Sequence, residues 1–112
     1  ANIKYALHIC GNTDAILEHM LLTGADAFEL DYKTDSDKIF RTFHNTATFI
    51  GNIDPSSVLA LGTRHEVQKK TLELLSFYKN SDRFILNAGC AIPPDTPSEN
   101  LRMLIRTARD FR

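Results

Sequence analysis

What the sequence lacks excludes several classes of protein. It has no apolar run near the ~20 residues that span a bilayer and no visible signal peptide, which argues against a membrane partner. Its 13 basic and 14 acidic residues give a formal charge of -1 with no basic stripe, which argues against nucleic acid as a partner. Two cysteines do not make a disulfide-dense secreted scaffold. We therefore expect reduced thiols and a cytoplasmic protein.

Length and composition describe one folded unit. At 112 residues the chain is one domain at most. A hydrophobic content of 43% is ordinary for a globular protein. The chain begins at Ala1, already inside a strand-like run, which predicts that residues 1–112 are a fragment of a longer protein.

Strand-like and helix-like segments alternate along the whole chain. Apolar β-type runs predict strands over 3–9, 26–31, 46–50 and 83–88. Apolar residues at helical spacing predict helices over 14–23, 35–44, 63–79 and 97–111, with a helical turn over 55–61. Alternation of this kind predicts parallel βα units in an α/β fold. Four such units make half of a (βα)8 TIM barrel.

Several helix boundaries have capping signals. Thr63-x-x-Glu66 and Thr96-x-x-Glu99 both match the capping box. Asn12 or Thr13 is expected to cap the first helix, and a glycine at position 24 fits the end of that helix.

Polar side chains cluster where the predicted strands end. The clusters are Cys10-Gly11-Asn12, Glu29 with Asp31, Gly51-Asn52-Ile53-Asp54 and Gly89-Cys90. Glu29 and Asp31 have the same strand parity, so we expect them on one face. Active sites of parallel α/β folds lie at the carboxyl edge of the sheet. The pattern therefore predicts part of a catalytic site.

Three of these residues form a zinc-type ligand set. His8 and Cys10 are two residues apart in a strand-like run, so their side chains project to the same side. With Cys90 they supply one imidazole and two thiolates, which leaves the fourth position of a tetrahedral zinc ion open for chemistry. Burial of both cysteines as small apolar residues is the alternative that the residues alone leave open.

Two segments resemble a known family. They are Gly51-Asn52-Ile53-Asp54-Pro55 and Leu86-Asn87-Ala88-Gly89-Cys90-Ala91-Ile92-Pro93-Pro94-Asp95-Thr96-Pro97-x-Glu99-Asn100. Both look like the last third of the uroporphyrinogen decarboxylase superfamily, whose members are (βα)8 barrels. His8-Ile9-Cys10-Gly11 together with Cys90 is similar to its zinc-dependent branch, the methylcobamide:coenzyme M methyltransferases. Asp54 matches the decarboxylase pattern Asn-x-Asp-Pro, where the methyltransferases often differ.

The resemblance implies a zinc-dependent methyltransferase. It would move a methyl group from a methylated corrinoid protein to a small thiol such as coenzyme M. His8, Cys10 and Cys90 would bind Zn2+ and act in catalysis, and Asp31 matches an acidic position that can supply a fourth ligand. Asn52 and Asp54 would contact substrate. The missing N-terminal half-barrel, or self-association, would complete the fold.

Alternatives accompany these assignments. A cofactor-free decarboxylase of the same superfamily would leave Cys10 and Cys90 without metal. A structural zinc or interaction module would have a closed site with four protein ligands. Asp31 could instead hold a strand-end turn, and Asn52 or Asp54 could cap the helical turn that begins at Pro55.

Overall fold

Four parallel strands form a single sheet in the computed structural model, which describes residues 2–112. The strands are β1 (Ala6–Ile9), β2 (Ala27–Leu30), β3 (Thr48–Ile53) and β4 (Phe84–Ala88). The helices are α1 (Leu17–Leu21), α2 (Ser36–Phe43), α3 (Arg64–Tyr78) and α4 (Ser98–Asp110), with a π-helical segment, Pro55–Ala60, after β3. Within the described residues, no helix is both long and apolar enough to cross a bilayer.

The strand order predicts where the helices lie. Each strand pairs in parallel with the next strand along the chain, so the order is β1-β2-β3-β4 without reversal. Because parallel crossovers are right-handed, an unreversed order places every helix on the same face of the sheet. Neighbouring helices pack side by side there, α1 with α2 and α3 with α4. The predicted four βα units of a TIM barrel are confirmed, and we call the helix-free face of the sheet the inner face.

Aromatic side chains fill the space between the sheet and its helices. Phe28 in β2 is fully buried and stacks on Phe43 of α2, with ring centroids 4.8 Å apart. Tyr78 of α3 stacks on Phe84 of β4 at 4.3 Å. The Tyr78 hydroxyl is buried and has no hydrogen-bond partner among the described residues, and burial raises its pKa. This packing holds the sheet rigidly beneath its carboxyl edge.

The first predicted capping box is confirmed. The Thr63 hydroxyl accepts a hydrogen bond from the Glu66 amide at 3.2 Å, and the Glu66 carboxylate accepts one from the Thr63 amide at 2.6 Å. Two orphan amides at the start of α3 are therefore satisfied. Asp35 caps α2 in a similar way by accepting from the Lys38 amide.

Two other capping predictions are wrong. The Thr96 hydroxyl donates to the Pro93 carbonyl at 2.7 Å, so it is engaged in the preceding turn, and α4 begins at Ser98 without a side-chain cap. The first helix begins at Leu17 rather than residue 14, again without a side-chain cap. The Thr13 hydroxyl is buried 2.9 Å from that of Thr34 and is unavailable to cap it. A carbonyl of the adjacent turn decided the first outcome, and a long-range partner, Thr34, decided the second.

Strand β3 runs three residues further than the sequence predicts. Asn52 pairs with Asn87 of β4, and Ile53 pairs with Ala88. These pairs extend β3 to Ile53, so Asn52 lies within the sheet rather than in the loop after it. The first strand is shorter than predicted and begins at Ala6.

Candidate metal centre

His8, Cys10 and Cys90 come together at the carboxyl edge of the sheet. His8 is in β1, Cys10 follows that strand, and Cys90 follows β4. Their nearest ligand atoms all lie within 4.8 Å of one another, and the His8 Nε2 is 3.0 Å from the Cys10 Sγ. Within the described residues, they are the one group of three or more His, Cys, Asp or Glu side chains with the geometry to hold a metal ion. The set that sequence spacing suggested is therefore also a cluster in space.

The two cysteines are joined as a disulfide in the structure. Cys10 and Cys90 are 80 residues apart, and their Cα atoms are separated by 6.1 Å. The expectation of two reduced thiols is thus not met here. The sequence does not show this proximity, because β1 and β4 are opposite edges of the sheet and are not paired. A disulfide offers no thiolate, so this cluster can present its full ligand set to a metal only after reduction.

Gly89 allows the loop after β4 to reach Cys10. This loop crosses the end of β2, where the Gly89 Cα is packed against backbone. A Cβ at position 89 would overlap the Leu30 carbonyl oxygen and lie 2.9 Å from the Asp31 Cα. Because backbone cannot move aside as a flexible side chain does, only glycine fits this crossing. The close approach turns the chain from one edge of the sheet towards the other and brings Cys90 to His8 and Cys10.

A carboxylate supports the imidazole. Glu29 lies opposite His8 in the β1–β2 register, and its Oε2 is 2.8 Å from the His8 Nδ1. The other oxygen of Glu29 accepts a hydrogen bond from the Asn87 side-chain amide of β4. Sequence parity placed Glu29 and Asp31 on one face, but it did not identify Asn87. That contact joins residues 58 positions apart and depends on the curvature of the sheet.

Asp31 holds the turn after Cys10. Its carboxylate accepts hydrogen bonds from the Gly11 amide at 2.9 Å and from the Lys33 amide at 3.2 Å, and the residue is 6% exposed. It lies outside the group of clustered ligand atoms. Asp31 thus has the turn-stabilising role that was the alternative to zinc ligation. Ligation of zinc by Asp31 stays a prediction.

Asn52 and Asp54 have structural contacts of their own. The buried Asn52 amide donates to the Asp31 carbonyl at 3.2 Å. The Asp54 carboxylate caps the π-helical segment by accepting from the Ser56 and Ser57 amides at 2.9 and 3.1 Å. Both residues also line an open cleft of about 490 Å³. Their role in substrate binding stays a prediction.

Comparison with known proteins assigns the chain to a family. The uroporphyrinogen decarboxylase (URO-D) family model matches residues 1–111. The chain belongs to the uroporphyrinogen decarboxylase family. This confirms the resemblance carried by the segments around Asn52 and Cys90, and it agrees with the barrel-type arrangement of the strands.

Similar proteins include a methyltransferase and decarboxylases. The methylcobamide:CoM methyltransferase MtbA of Methanosarcina mazei is 34% identical over 99% of this chain and 31% of its own length. The uroporphyrinogen decarboxylase of Trichodesmium erythraeum is 29% identical over 98% of this chain and 30% of its own length. A solved structure, a methyltransferase from Methanosarcina mazei, superposes with a TM-score of 0.85 at 29% identity, covering 98% of this chain and 32% of that one. The chain therefore spans about a third of the length of the relatives that it matches.

Proposed function

We propose that this chain carries the zinc site of a methyltransferase that moves a methyl group from a methylated corrinoid protein to a small thiol such as coenzyme M. The convergence of His8, Cys10 and Cys90 within 4.8 Å is the observation that carries this proposal. Two thiols and one imidazole are the donors that zinc prefers, and three protein ligands leave one position for a substrate. The 34% identity to a methylcobamide:CoM methyltransferase supports the same conclusion.

The ligand set fits the chemistry of methyl transfer to sulfur. A free thiol has a pKa of about 8.5 and is mostly protonated at neutral pH, whereas the nucleophile is the thiolate. Bound zinc would supply the acidity that removes this proton. The methyl–cobalt bond breaks as the new carbon–sulfur bond forms, so cobalt keeps the electron pair and the thiol proton passes to solvent.

The protein residues have separate tasks in this proposal. Cys10 and Cys90, once reduced, would cancel the charge of the metal, so the substrate sulfur keeps its electron density. His8 would bind as the neutral ligand through Nε2, the ring nitrogen on the side of the Cys10 sulfur. Backbone around Gly89 would hold Cys90 in place, because its position depends on the crossing over β2.

A metal measurement tests the proposal directly. The reduced chain should retain about one zinc per molecule after dialysis against a weak chelator, in keeping with a three-ligand site. Cys90→Ser should lose most of it, because a neutral hydroxyl replaces a thiolate. His65→Ala removes an exposed histidine of α3 and is the matched control. Equal zinc in the wild type and in Cys90→Ser would overturn the assignment.

A decarboxylase of the same family is the second candidate. It is favoured by the relative from Trichodesmium erythraeum at 29% identity and by Asp54, which matches the decarboxylase pattern. It predicts no dependence on metal. Demethylation of methylcobalamin by coenzyme M, assayed with zinc-loaded and zinc-free reduced protein, separates the candidates. A zinc-dependent rate above the uncatalysed one favours the methyltransferase.

The inner face of the sheet is expected to pack against further protein. Ile85 on this face is 52% exposed, and β1 and β4 are open edges among the described strands. Parallel sheets are normally covered on both faces, and open edges pair with other chains. Further βα units would cover this face in a complete barrel, and the 112-residue chain alone should self-associate. Light scattering across a wide concentration range tests this, and a strict monomer at high concentration would contradict it.

A further inference from the structure

Three side chains of the inner face form a continuous row of polar contacts that ends at the Cys10 sulfur. Asn87 of β4 donates to one oxygen of Glu29 in β2, although β3 lies between these strands. The second oxygen of Glu29 is 2.8 Å from the His8 Nδ1 in β1. The His8 Nε2 is then 3.0 Å from the Cys10 Sγ. These contacts thus link side chains of β4, β2 and β1 to the Cys10 sulfur.

The direction of each contact defines the state of the imidazole. A carboxylate accepts hydrogen bonds, so the His8 Nδ1 beside it carries the ring proton. In the neutral ring the lone pair is then on Nε2, the nitrogen that faces the cysteine sulfur. A histidine that binds metal usually gives its other N–H to such a carboxylate, which sets the orientation of the ring. The geometry therefore selects the tautomer that a metal needs.

Glu29 contacts His8 and lies outside the group of clustered ligand atoms. One oxygen is taken by His8 and the other by Asn87, so the plane of the carboxylate is held from both sides. The Glu29 side chain is 28% exposed and thus partly shielded from water. Asp31, the second acid after β2, is committed to the Gly11 and Lys33 amides. Glu29 is thus the acid that contacts a candidate ligand.

We propose that Glu29 and Asn87 are positioning residues for the zinc site, an inference that rests on the proposed function. Glu29 holds the His8 ring as the Nδ1–H tautomer with Nε2 directed at the metal position. Asn87 holds the Glu29 carboxylate in the orientation that this requires. Loss of such outer partners commonly weakens metal binding by about 10- to 100-fold.

The first test needs no metal. Long-range proton–nitrogen NMR spectra of the reduced, zinc-free chain report which nitrogen of His8 carries the proton, at a pH where the ring is neutral. The wild type should show protonated Nδ1, and Glu29→Ala should shift the ring towards protonated Nε2. Glu29→Gln should retain the wild-type tautomer, because its amide oxygen still accepts from Nδ1 once the Asn87 amide flips to accept from the new amide N–H. Wild-type and Glu29→Ala spectra with the same tautomer would overturn the proposal.

The second test measures affinity and ligand geometry. Zinc competition against a coloured chelator should give about 10- to 100-fold weaker binding for Glu29→Ala, a smaller loss for Asn87→Ala, and partial recovery for Glu29→Gln. Cobalt substituted for zinc should keep its thiolate charge-transfer bands while its visible bands shift, because the imidazole ligand is the one disturbed. Glu73→Ala, an exposed acid on α3, is the control and should match the wild type.

The outcomes separate this inference from the proposed function. If the wild type binds no zinc but shows the Nδ1–H tautomer, the proposed function fails while the Glu29 contact stands. If the wild type binds zinc and Glu29→Ala binds it within about two-fold, the positioning role is overturned and the zinc site stands. Circular dichroism of each variant verifies that the sheet has folded.

Discussion

The two faces of the sheet hold their side chains in different ways. On the helix-covered face, Phe28 and Phe49 are at most 2% exposed and are held by aromatic packing. On the inner face, His8 and Glu29 have side chains that are 41% and 28% exposed and are held by polar contacts. Phe28 and Glu29 are neighbours in sequence, so strand alternation alone separates them. Apolar burial on the helix-covered face stabilises the fold, and the inner face carries the polar side chains of the candidate site.

The largest loss of stability should come from removing a buried aromatic side chain of the helix-covered face. Phe28→Ala should lower the free energy of unfolding by about 3–5 kcal/mol, because it removes a fully buried ring and leaves a cavity. In the monomer at low protein concentration, Ile85→Ala on the inner face should cost about 1 kcal/mol or less, because Ile85 is 52% exposed there. Urea unfolding followed by circular dichroism measures both. If Phe28→Ala is too unstable to purify, Phe28→Leu can replace it and should give a smaller loss of stability. Equal losses for substitutions on the two faces would contradict the prediction.

A change at the carboxyl edge should affect the site more than the core. Gly89→Ala places a Cβ against Leu30 backbone, so the loop must move and Cys90 with it. Zinc affinity of the reduced chain should fall at least about tenfold, or about 1.4 kcal/mol.

Gly24→Ala is the matched control for this change. Gly24 has a φ of 78° and lies near only the Tyr5 hydroxyl, 3.9 Å from an added Cβ. It should cost about 1–2 kcal/mol of stability through its left-handed backbone and leave zinc affinity unchanged. An unchanged affinity in Gly89→Ala would show that the crossing does not position Cys90.

A smaller loss of stability is expected from a change at the start of α3, which lies in neither face of the sheet. Thr63→Ala removes the hydroxyl that accepts from the Glu66 amide at the start of α3. It should lower the free energy of unfolding by about 1 kcal/mol, measured by urea unfolding, with zinc affinity unchanged. Thr63→Ser keeps the hydroxyl and should behave as the wild type. A loss of zinc affinity in Thr63→Ala would show that α3 and the site are coupled.

The smallest effect concerns two surface carboxylates. A hydrogen bond from Lys4 lowers the pKa of Asp26, and the Thr63 amide lowers that of Glu66. A lowered pKa in the folded state means that the folded chain binds fewer protons, so these groups add stability above their ordinary values of 3.8 and 4.5. This contribution is lost as the pH falls through those values towards the folded-state pKa. Urea unfolding between pH 7 and pH 3 should show that the free energy of unfolding depends less on pH in the double variant Asp26→Asn, Glu66→Gln than in the wild type. The same pH dependence in both proteins would contradict these assignments.

Local patterns predicted the elements better than their ends. Apolar spacing around Ile39 and Phe43 correctly predicts α2, and the Thr63 capping box correctly marks α3. Thr13 and Thr96 failed as caps because Thr34 and the Pro93 carbonyl engage their hydroxyls. A local signal is reliable only when no other polar group, near or distant in sequence, competes for the same atom.

The candidate site was predictable in its membership but not in its contacts. Residue chemistry and the family resemblance identified His8, Cys10 and Cys90, and the structure brings all three together. The support of His8 by Asn87 through Glu29 was not predictable, because it spans two strands that are not neighbours. The disulfide between the cysteines is likewise a product of the curved sheet.

The sequence by itself determined the order of strands and helices, the alternation that divides each strand between two faces, and the donor chemistry of His8 and the cysteines. These follow from periods of 2 and 3.6 residues and from side-chain identity, which are local properties. Only the tertiary structure decided that Gly89 crosses β2, that Cys90 meets Cys10, and that Asp31 is used by the Gly11 turn. Those outcomes depend on backbone surfaces that touch across the sheet, and no local pattern encodes which surfaces will meet.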